Sequence, residues 1–377
     1  MKVVGQMKVG CVKEIKPYEY RVGLTPENVK EYLSAGHQVY IQQGAGEGSS
    51  FSDLEYQHTG AVILSSAKEV WDQCEMIVKV KEPLAEEYPL MRPGQILYTY
   101  LHLAANQELT DTLMKNKVNA VAYETIKNHQ GKLPLLQPMS EVAGRLSVQA
   151  GARCLEKPMG GIGLLLGGVP GVKKARVVVV GGGTVGTQAC MTALGMGADV
   201  VIFDNSIDRL SYIDQLFHQQ VQTLYSTDSA LENELAQADL VIGAVLIPGA
   251  ATPKLIKKSY LKKMKKGSVI VDVAVDQGGC CETTRPTYHD NPVYLVDGVV
   301  HYCVANMPAA VSQTSTIALT NATLRYGLEM ASQGLETAAK KDPFFKYGIN
   351  CYGGYLTCRE VAEGFSIPYT DIDTLIK

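Results

Sequence analysis

No marked excess of either charge distinguishes this 377-residue chain: 35 basic and 38 acidic side chains leave a formal charge of -3. Without a basic face there is no electrostatic footprint for nucleic acid or an anionic membrane, so a small-molecule partner is expected. No apolar run reaches the roughly 18 residues needed to span a bilayer. The start of the chain also lacks the basic, apolar and small-residue succession of a secretory signal. A soluble cytoplasmic protein is the expectation. The nine cysteines (11, 74, 154, 190, 280, 281, 303, 351 and 358) form no C-x-x-C pair and have no histidine at zinc-site spacing. An odd number, mostly in apolar segments, reads as reduced core residues, and no metal is expected. The adjacent Cys280-Cys281 changes little, because sequence neighbours rarely reach disulfide geometry without strain. Internal repeats and low-complexity segments are absent as well.

The length, at about 100 to 200 residues per domain, points to two sizeable cores. Strand and helix patterns alternate from the start. MKVGCV reads as a strand, and a helix opens at Thr25-Pro26, with Thr25 as its N-cap and Gly36 closing it. HQVYIQQ, MIVKVK, GQILYTYLHL and VNAVAYET read as further strands, separated by SSAKEVWDQC and a helix over 107–116. Such alternation predicts a mainly parallel sheet covered on both faces. SEVAGRLSVQAGARCLEK, residues 140–157, has the spacing of a helix capped by Ser140. Beyond the glycine-rich MGGIGLLLGGVPGV, the runs ARVVVV, ADVVIFD, ADLVIGAVL, GSVIVDVAVD and VVHYCVANMP suffice for a second doubly wound sheet. From Thr314 the pattern is helical to Gly334, with a shorter helical tail too poor in strand signals for a domain of its own. The predicted architecture is α/β, with two Rossmann-like doubly wound domains. Residues 1–134 are the first segment of a substrate or catalytic domain, 135–312 a nucleotide-binding domain inserted into it, and 313–377 a helical segment that returns to pack on the first.

In 176-RVVVVGGGTVG-186 an apolar strand runs into Gly181-x-Gly183-x-x-Gly186 and then into a helical pattern. The three glycines serve a tight turn, close approach to a pyrophosphate, and close packing of helix on strand. Phosphate oxygens would sit on the free N–H groups at the positive end of that helix. The next strand ends in Asp204, 18 residues after Gly186, where an acid binds a ribose 2'-hydroxyl. A carboxylate there repels a 2'-phosphate, so NAD is favoured over NADP, with Arg209 nearby as the one contrary sign.

A nicotinamide enzyme needs a substrate anchor and a group that moves a proton. Arg21, between a strand and a helix start, has a planar guanidinium suited to gripping a carboxylate, although a solvated surface arginine fits the sequence as well. Lys79 and Lys81 share a face of their expected strand, and Lys81 lies nearer the carboxyl end, where open α/β sheets place ligands. An exposed edge is the other reading. His102, in LYTYLHLAAN, is either a satisfied core histidine or a titratable group at the strand's end. Asp272 and Asp276 fall on one face of another strand, and Asp276 reaches its carboxyl end; capping of the Gln277-Gly278 turn would also explain it.

Taken together, KEIKPYEYRVGLTP, GAGEGS, KVKEP, YLHLAA, AYET, LPLLQPMSEVAGR, GGVPGV, GGGTVG, DLVIGAVLIPGA, DVAVDQGG, VANMPAAV and TSTIALTNAT resemble the L-alanine dehydrogenases along essentially the whole chain. The nucleotide-binding subunit of the proton-pumping transhydrogenase is the near relative, usually joined to membrane-spanning segments. The resemblance implies reversible NAD-dependent oxidative deamination of L-alanine to pyruvate and ammonia. An NAD-binding subunit of a transhydrogenase-like assembly and a dehydrogenase of another amino acid are the rivals. It further implies that Arg21 and Lys81 bind the substrate's carboxylate and carbonyl side, and that His102 and Asp276 handle protons, water and ammonia. Ser140, Asp204 and Arg209 are implied near the adenosine half of NAD, and Asn306 and Met307 near the nicotinamide. Thr184, Val185, Val245, Leu246, Val273, Asp276 and Val304 are implied as further cofactor contacts, and a homohexamer as the assembly. Tyr18-Glu19-Tyr20, bulkier than the small polar loop of the family, departs from the pattern.

Overall fold

The computed structural model describes residues 5–245 and 252–376; Leu246, expected at the cofactor, lies outside them. The strands in chain order are β1 (Lys8–Cys11), β2 (Gln38–Gln42), β3 (Val62–Leu64), β4 (Met76–Val78), β5 (Ile96–Thr99), β6 (Asn119–Ala122), β7 (Arg176–Val180), β8 (Asp199–Asp204), β9 (Gln222–Tyr225), β10 (Leu240–Gly243), β11 (Val269–Asp272), β12 (Val293–Val296), β13 (Val299–Tyr302), β14 (Ile349–Tyr352) and β15 (Tyr355–Leu356). They form two α/β units, one from the residues up to Met139 together with those from Val311 onward, the other spanning Ser140–Ala310.

In the first unit the sheet order is β3-β2-β1-β4-β5-β6-β14-β15. The six strands from β3 to β6 are parallel neighbours, while β14 and β15 run antiparallel at one edge. The order reverses between β1 and β4, and the crevice beyond the carboxyl ends of such a pair is where open α/β sheets bind ligands. β-Branched and aromatic side chains buried on both faces explain why these central strands are nearly continuous apolar runs. The helix Pro26–Ser34 starts as its sequence dictates, with Thr25 and Asn28 in a reciprocal capping arrangement. In the second unit the order is β12-β13-β11-β10-β7-β8-β9, with β12 alone antiparallel among the described strands. Its reversal lies between β7 and β10, so the loops after these two strands frame its ligand crevice.

Four local expectations need correction. The helix expected from Ser140 runs over Gln137–Cys154. Pro138 stands in its first turn, where no N–H is needed, so the helix begins before Ser140 and that residue is not its cap. Lys79 and Lys81 do not share a strand face, because β4 ends at Val78. Asp276 is likewise beyond its strand: β11 ends at Asp272, and Asp276 sits in the 3-10 turn Val275–Gln277. The last segment is not purely helical, since the Gly353-Gly354 turn joins β14 to β15 and adds both to the first sheet.

Lys79 instead turns into the core. It is wholly buried, and its ammonium bridges Glu14 at 3.2 Å and Glu87 at 2.9 Å. Burial pushes the Glu14 carboxyl up, against the pull of Lys79. Glu14 also accepts from the Val80 backbone N–H at 2.6 Å, which ties the segment after β1 to the end of β4. Removing the lysine leaves two buried carboxylates without their cation. Lys79→Met is therefore expected to cost about 3–5 kcal/mol. Denaturant unfolding of the purified variant checks this, and a loss below about 1 kcal/mol would mean the trio is solvated.

Candidate active site

The second unit supplies a cleft of about 580 Å³ at the carboxyl ends of β7, β8 and β10. The chain's own geometry shapes it. Gly181 has φ +104°, a conformation that side chains avoid, and a Cβ on Gly186 would stand 1.8 Å from the Gly181 carbonyl oxygen. Apart from its chain neighbours, nothing among the described residues lies within 4 Å of where a Gly183 Cβ would be, which leaves room for a ligand to approach the backbone. Gly183 also begins the helix Thr184–Gly195 without a side-chain cap, so its first N–H groups point outward unpaired by a cap. These are the features that hold a pyrophosphate. Asp204, at the end of β8, accepts from the Gly182 N–H at 2.7 Å and from the Ser206 N–H at 2.8 Å, and each oxygen keeps lone-pair capacity for a ribose hydroxyl. The donor set fits NAD.

Ser140, Gly181, Gly183, Thr184, Val185, Asp204 and Val245 all line this cleft, and Gly186 packs directly beneath it. Arg209 does not line it. Its guanidinium donates to the Gly182 carbonyl and, at 2.7 Å, to the Thr187 hydroxyl, while stacking on Tyr212, so it braces the glycine loop from behind. Val304 and Met307 are buried and Val273 is half-buried, none of them lining the cleft. Asp276 is exposed and accepts at 3.3 Å from the backbone N–H of Asn306, whose φ is +59°. Asparagine tolerates that left-handed backbone better than most residues.

The first unit gathers a separate polar group at the carboxyl ends of β1, β4 and β5. Arg21 is nearly fully buried, and its Nε and Nη2 donate side-on to Glu19 at 2.7 Å each, while Nη1 lies 3.0 Å from the Met139 sulfur. The end-on edge of a guanidinium, formed by Nη1 and Nη2, has the geometry to meet a carboxylate. Lys81 is half-buried and makes no ion pair among the described residues. Burial lowers its pKa, and the Arg21 charge lowers it further. Two cations that repel each other at the end of a sheet would both be stabilised by an anion.

His102 occupies the turn after β5 with φ +50°, and its ring stacks on Tyr100 at 5.9 Å. Glu124 holds that turn: its carboxylate accepts from the Leu101 N–H at 3.0 Å and the His102 N–H at 2.7 Å. Crowding by the surrounding protein lowers the imidazole's pKa, opposed by Glu124 and reinforced by Lys81. Solvent still reaches the ring, so protons can come and go. Glu19, Glu124 and Glu14 are thus the supports that reading the sequence missed. The two-residue spacing of Glu19 and Arg21 was a usable signal, since a carboxylate so near in sequence can pair with a guanidinium. No local pattern could have paired Glu124 with a turn 22 residues earlier.

Known proteins resemble this chain in sequence and in fold. The family descriptions "Alanine dehydrogenase/PNT, N-terminal domain" and "Alanine dehydrogenase/PNT, C-terminal domain" match residues 10–143 and 147–359. The chain is 53% identical to an alanine dehydrogenase of Halomonas elongata over 370 residues, covering 98% of this chain and 100% of the relative. A solved L-alanine dehydrogenase superposes with a TM-score of 0.93 at 52% identity, covering 96% of this chain and 99% of that one. A transhydrogenase from Sinorhizobium meliloti superposes at 0.81 with 25% identity, over 93% of this chain and 98% of its own. Gly186→Ala forces apart the strand–turn–helix that forms the cleft. It is expected to raise the dissociation constant for NADH at least about tenfold, read by fluorescence titration; unchanged affinity would rule out the cradle.

Proposed function

The chain belongs to the alanine dehydrogenase/PNT family, and from that premise we infer how its residues carry out NAD-dependent oxidative deamination of L-alanine to pyruvate and ammonia, with reductive amination in reverse. The observation that carries the residue-level reading is that Lys81 lies within electrostatic reach of both Arg21 and His102. Bound NAD supplies the hydride acceptor. Gly181, Gly183, Thr184, Val185 and Gly186 would hold its pyrophosphate, Asp204 its ribose diol, and Ser140 and Val245 its flanks. Val273, Asp276, Val304, Asn306 and Met307 are assigned to the nicotinamide half, and Arg209 to support of the loop on the adenosine side.

The end-on edge of Arg21 grips the α-carboxylate, and the Lys81 ammonium donates to the same carboxylate or to the carbonyl oxygen of pyruvate. Fixing two points of so small a substrate aims its Cα–H and removes much of the entropic part of the barrier. The α-ammonium first gives up a proton to solvent by way of the His102 ring, and loss of hydride from the neutral amine leaves an iminium carbon. A neutral His102 ring nitrogen takes a proton from the water that adds there, returns it to the amine nitrogen, and takes the hydroxyl proton as ammonia leaves and the carbonyl forms. Asp276 orients that water and stabilises the cation. Among the described residues, no helix is long and apolar enough to cross a membrane. Nine free, buried cysteines support a reducing cytoplasm. Apolar Leu165, Val169 and Val172, exposed on the glycine-rich loop, support self-association, and a homohexamer is the family's implied form.

NADH production from L-alanine by the purified chain tests the reading, with other amino acids as competitors. Preference for glutamate or lysine would sink it, and dependence on a membrane partner would favour the transhydrogenase alternative. In the same assay His102→Ala is expected to lower turnover about 100-fold or more while NADH binding stays intact; wild-type turnover would remove His102 from the chemistry. The pH profile follows from its surroundings. A base must be neutral, and His102 lies below its ordinary 6.5, so kcat/KM falls on the acid side below pH 6.5. Glu124 raises that pKa, hence Glu124→Gln should move the limb to still lower pH; a shift upward would contradict the assignment.

A further inference from the structure

We propose that Glu82 receives the substrate's nitrogen: the free oxygen of its carboxylate accepts a hydrogen bond from the α-ammonium of L-alanine, and from ammonium itself in the reductive direction. This rests on the assignment of Arg21, Lys81 and His102 to the substrate. Glu82 follows Lys81 directly, beyond the end of β4 at the point where the strand order reverses. Its side chain is only 12% exposed, and one oxygen, Oε1, is paired with the Lys16 ammonium. The other, Oε2, is buried with no hydrogen-bond partner, the one carboxylate oxygen so placed among the described residues.

The other acids around the site are already engaged. Glu14 and Glu87 serve Lys79, Glu19 serves Arg21, and Glu124 serves the turn at His102. A buried acceptor left unmade is costly, and a ligand that brings an N–H donor removes that cost. An α-amino acid brings one, since it carries a cation a single carbon away from the carboxylate that Arg21 and Lys81 attract. The carboxyl is ionised to meet it. Burial alone would push its pKa up, but the bond and charge of Lys16, helped by Lys81 and His102, hold it below the ordinary value. Once the ammonium has given up a proton to solvent, a carboxylate facing the neutral amine also offsets the positive charge that grows there as hydride leaves the neighbouring carbon, which favours the transition state.

The test is Glu82→Gln in the full-length enzyme, which keeps the side chain's shape and removes its charge, assayed with NADH, pyruvate and ammonium chloride. The KM for ammonium should rise about ten- to a hundredfold, the range for a hydrogen bond to a charged group, while the KM for pyruvate and the NADH dissociation constant stay within about twofold. Lys16→Arg, which keeps the cation beside the carboxylate, should leave the ammonium KM near wild type. An unchanged ammonium KM in Glu82→Gln, an equal rise for pyruvate, or the same rise in Lys16→Arg overturns the proposal. Arg21→Lys run in parallel separates the two layers. If it leaves the pyruvate KM unchanged, the substrate assignment of Arg21 fails, whereas a raised pyruvate KM beside a flat ammonium response in Glu82→Gln faults Glu82 alone.

Discussion

The first unit depends on a cation placed where no strand continues. Lys79 lies one residue past β4, and by drawing Glu14 and Glu87 onto its ammonium it fixes the segment that leaves β1 against the end of β4. Arg21 lies farther along the first of these segments, and Lys81 and Glu82 along the second. Polar groups buried at this depth hold their geometry only if every partner is present, because a half-satisfied network costs more than an apolar core. The Tyr123 hydroxyl, which donates to the Lys79 carbonyl at 2.9 Å, adds the end of β6 to the same knot. A rigid network behind these three side chains is what pre-organised electrostatics requires.

The two units use one topology for different purposes. Each has its strand order reversing beside its first strand, β1 against β4 and β7 against β10. In the second unit the loop after the first strand is glycine-rich and presents backbone N–H groups, so it selects phosphate. In the first unit the equivalent loop carries Glu14, Glu19 and Arg21, so it presents a guanidinium whose orientation is fixed by a side-on carboxylate. Function here resides in the loops rather than in the sheet that carries them.

What could be read from the sequence follows the range of the forces involved. The α/β alternation and the glycine turn were legible because they are local: Gly181 needs its positive φ and Gly186 its missing Cβ whatever the rest of the chain does. Strand ends were not. The alternation through Lys79, Lys81, Asp272 and Asp276 continues past the last paired residues, and the ladder stops where side chains find partners far away in sequence. Glu124 and Glu87 are such partners, and no periodicity announces them. The hairpin β14–β15 was within reach, since two glycines between short apolar runs are a recognised turn signal; the helical character of its surroundings obscured it.

The backbone at His102 carries one more implication. A residue with φ +50° pays a steric penalty that glycine would not, and asparagine would pay less. A more stable turn is therefore one substitution away and is not the one present. With the role proposed for His102, the position trades stability for a ring at that spot, so resistance to heat or denaturant and turnover are opposed there, and any effort to harden the protein has reason to leave this turn strained.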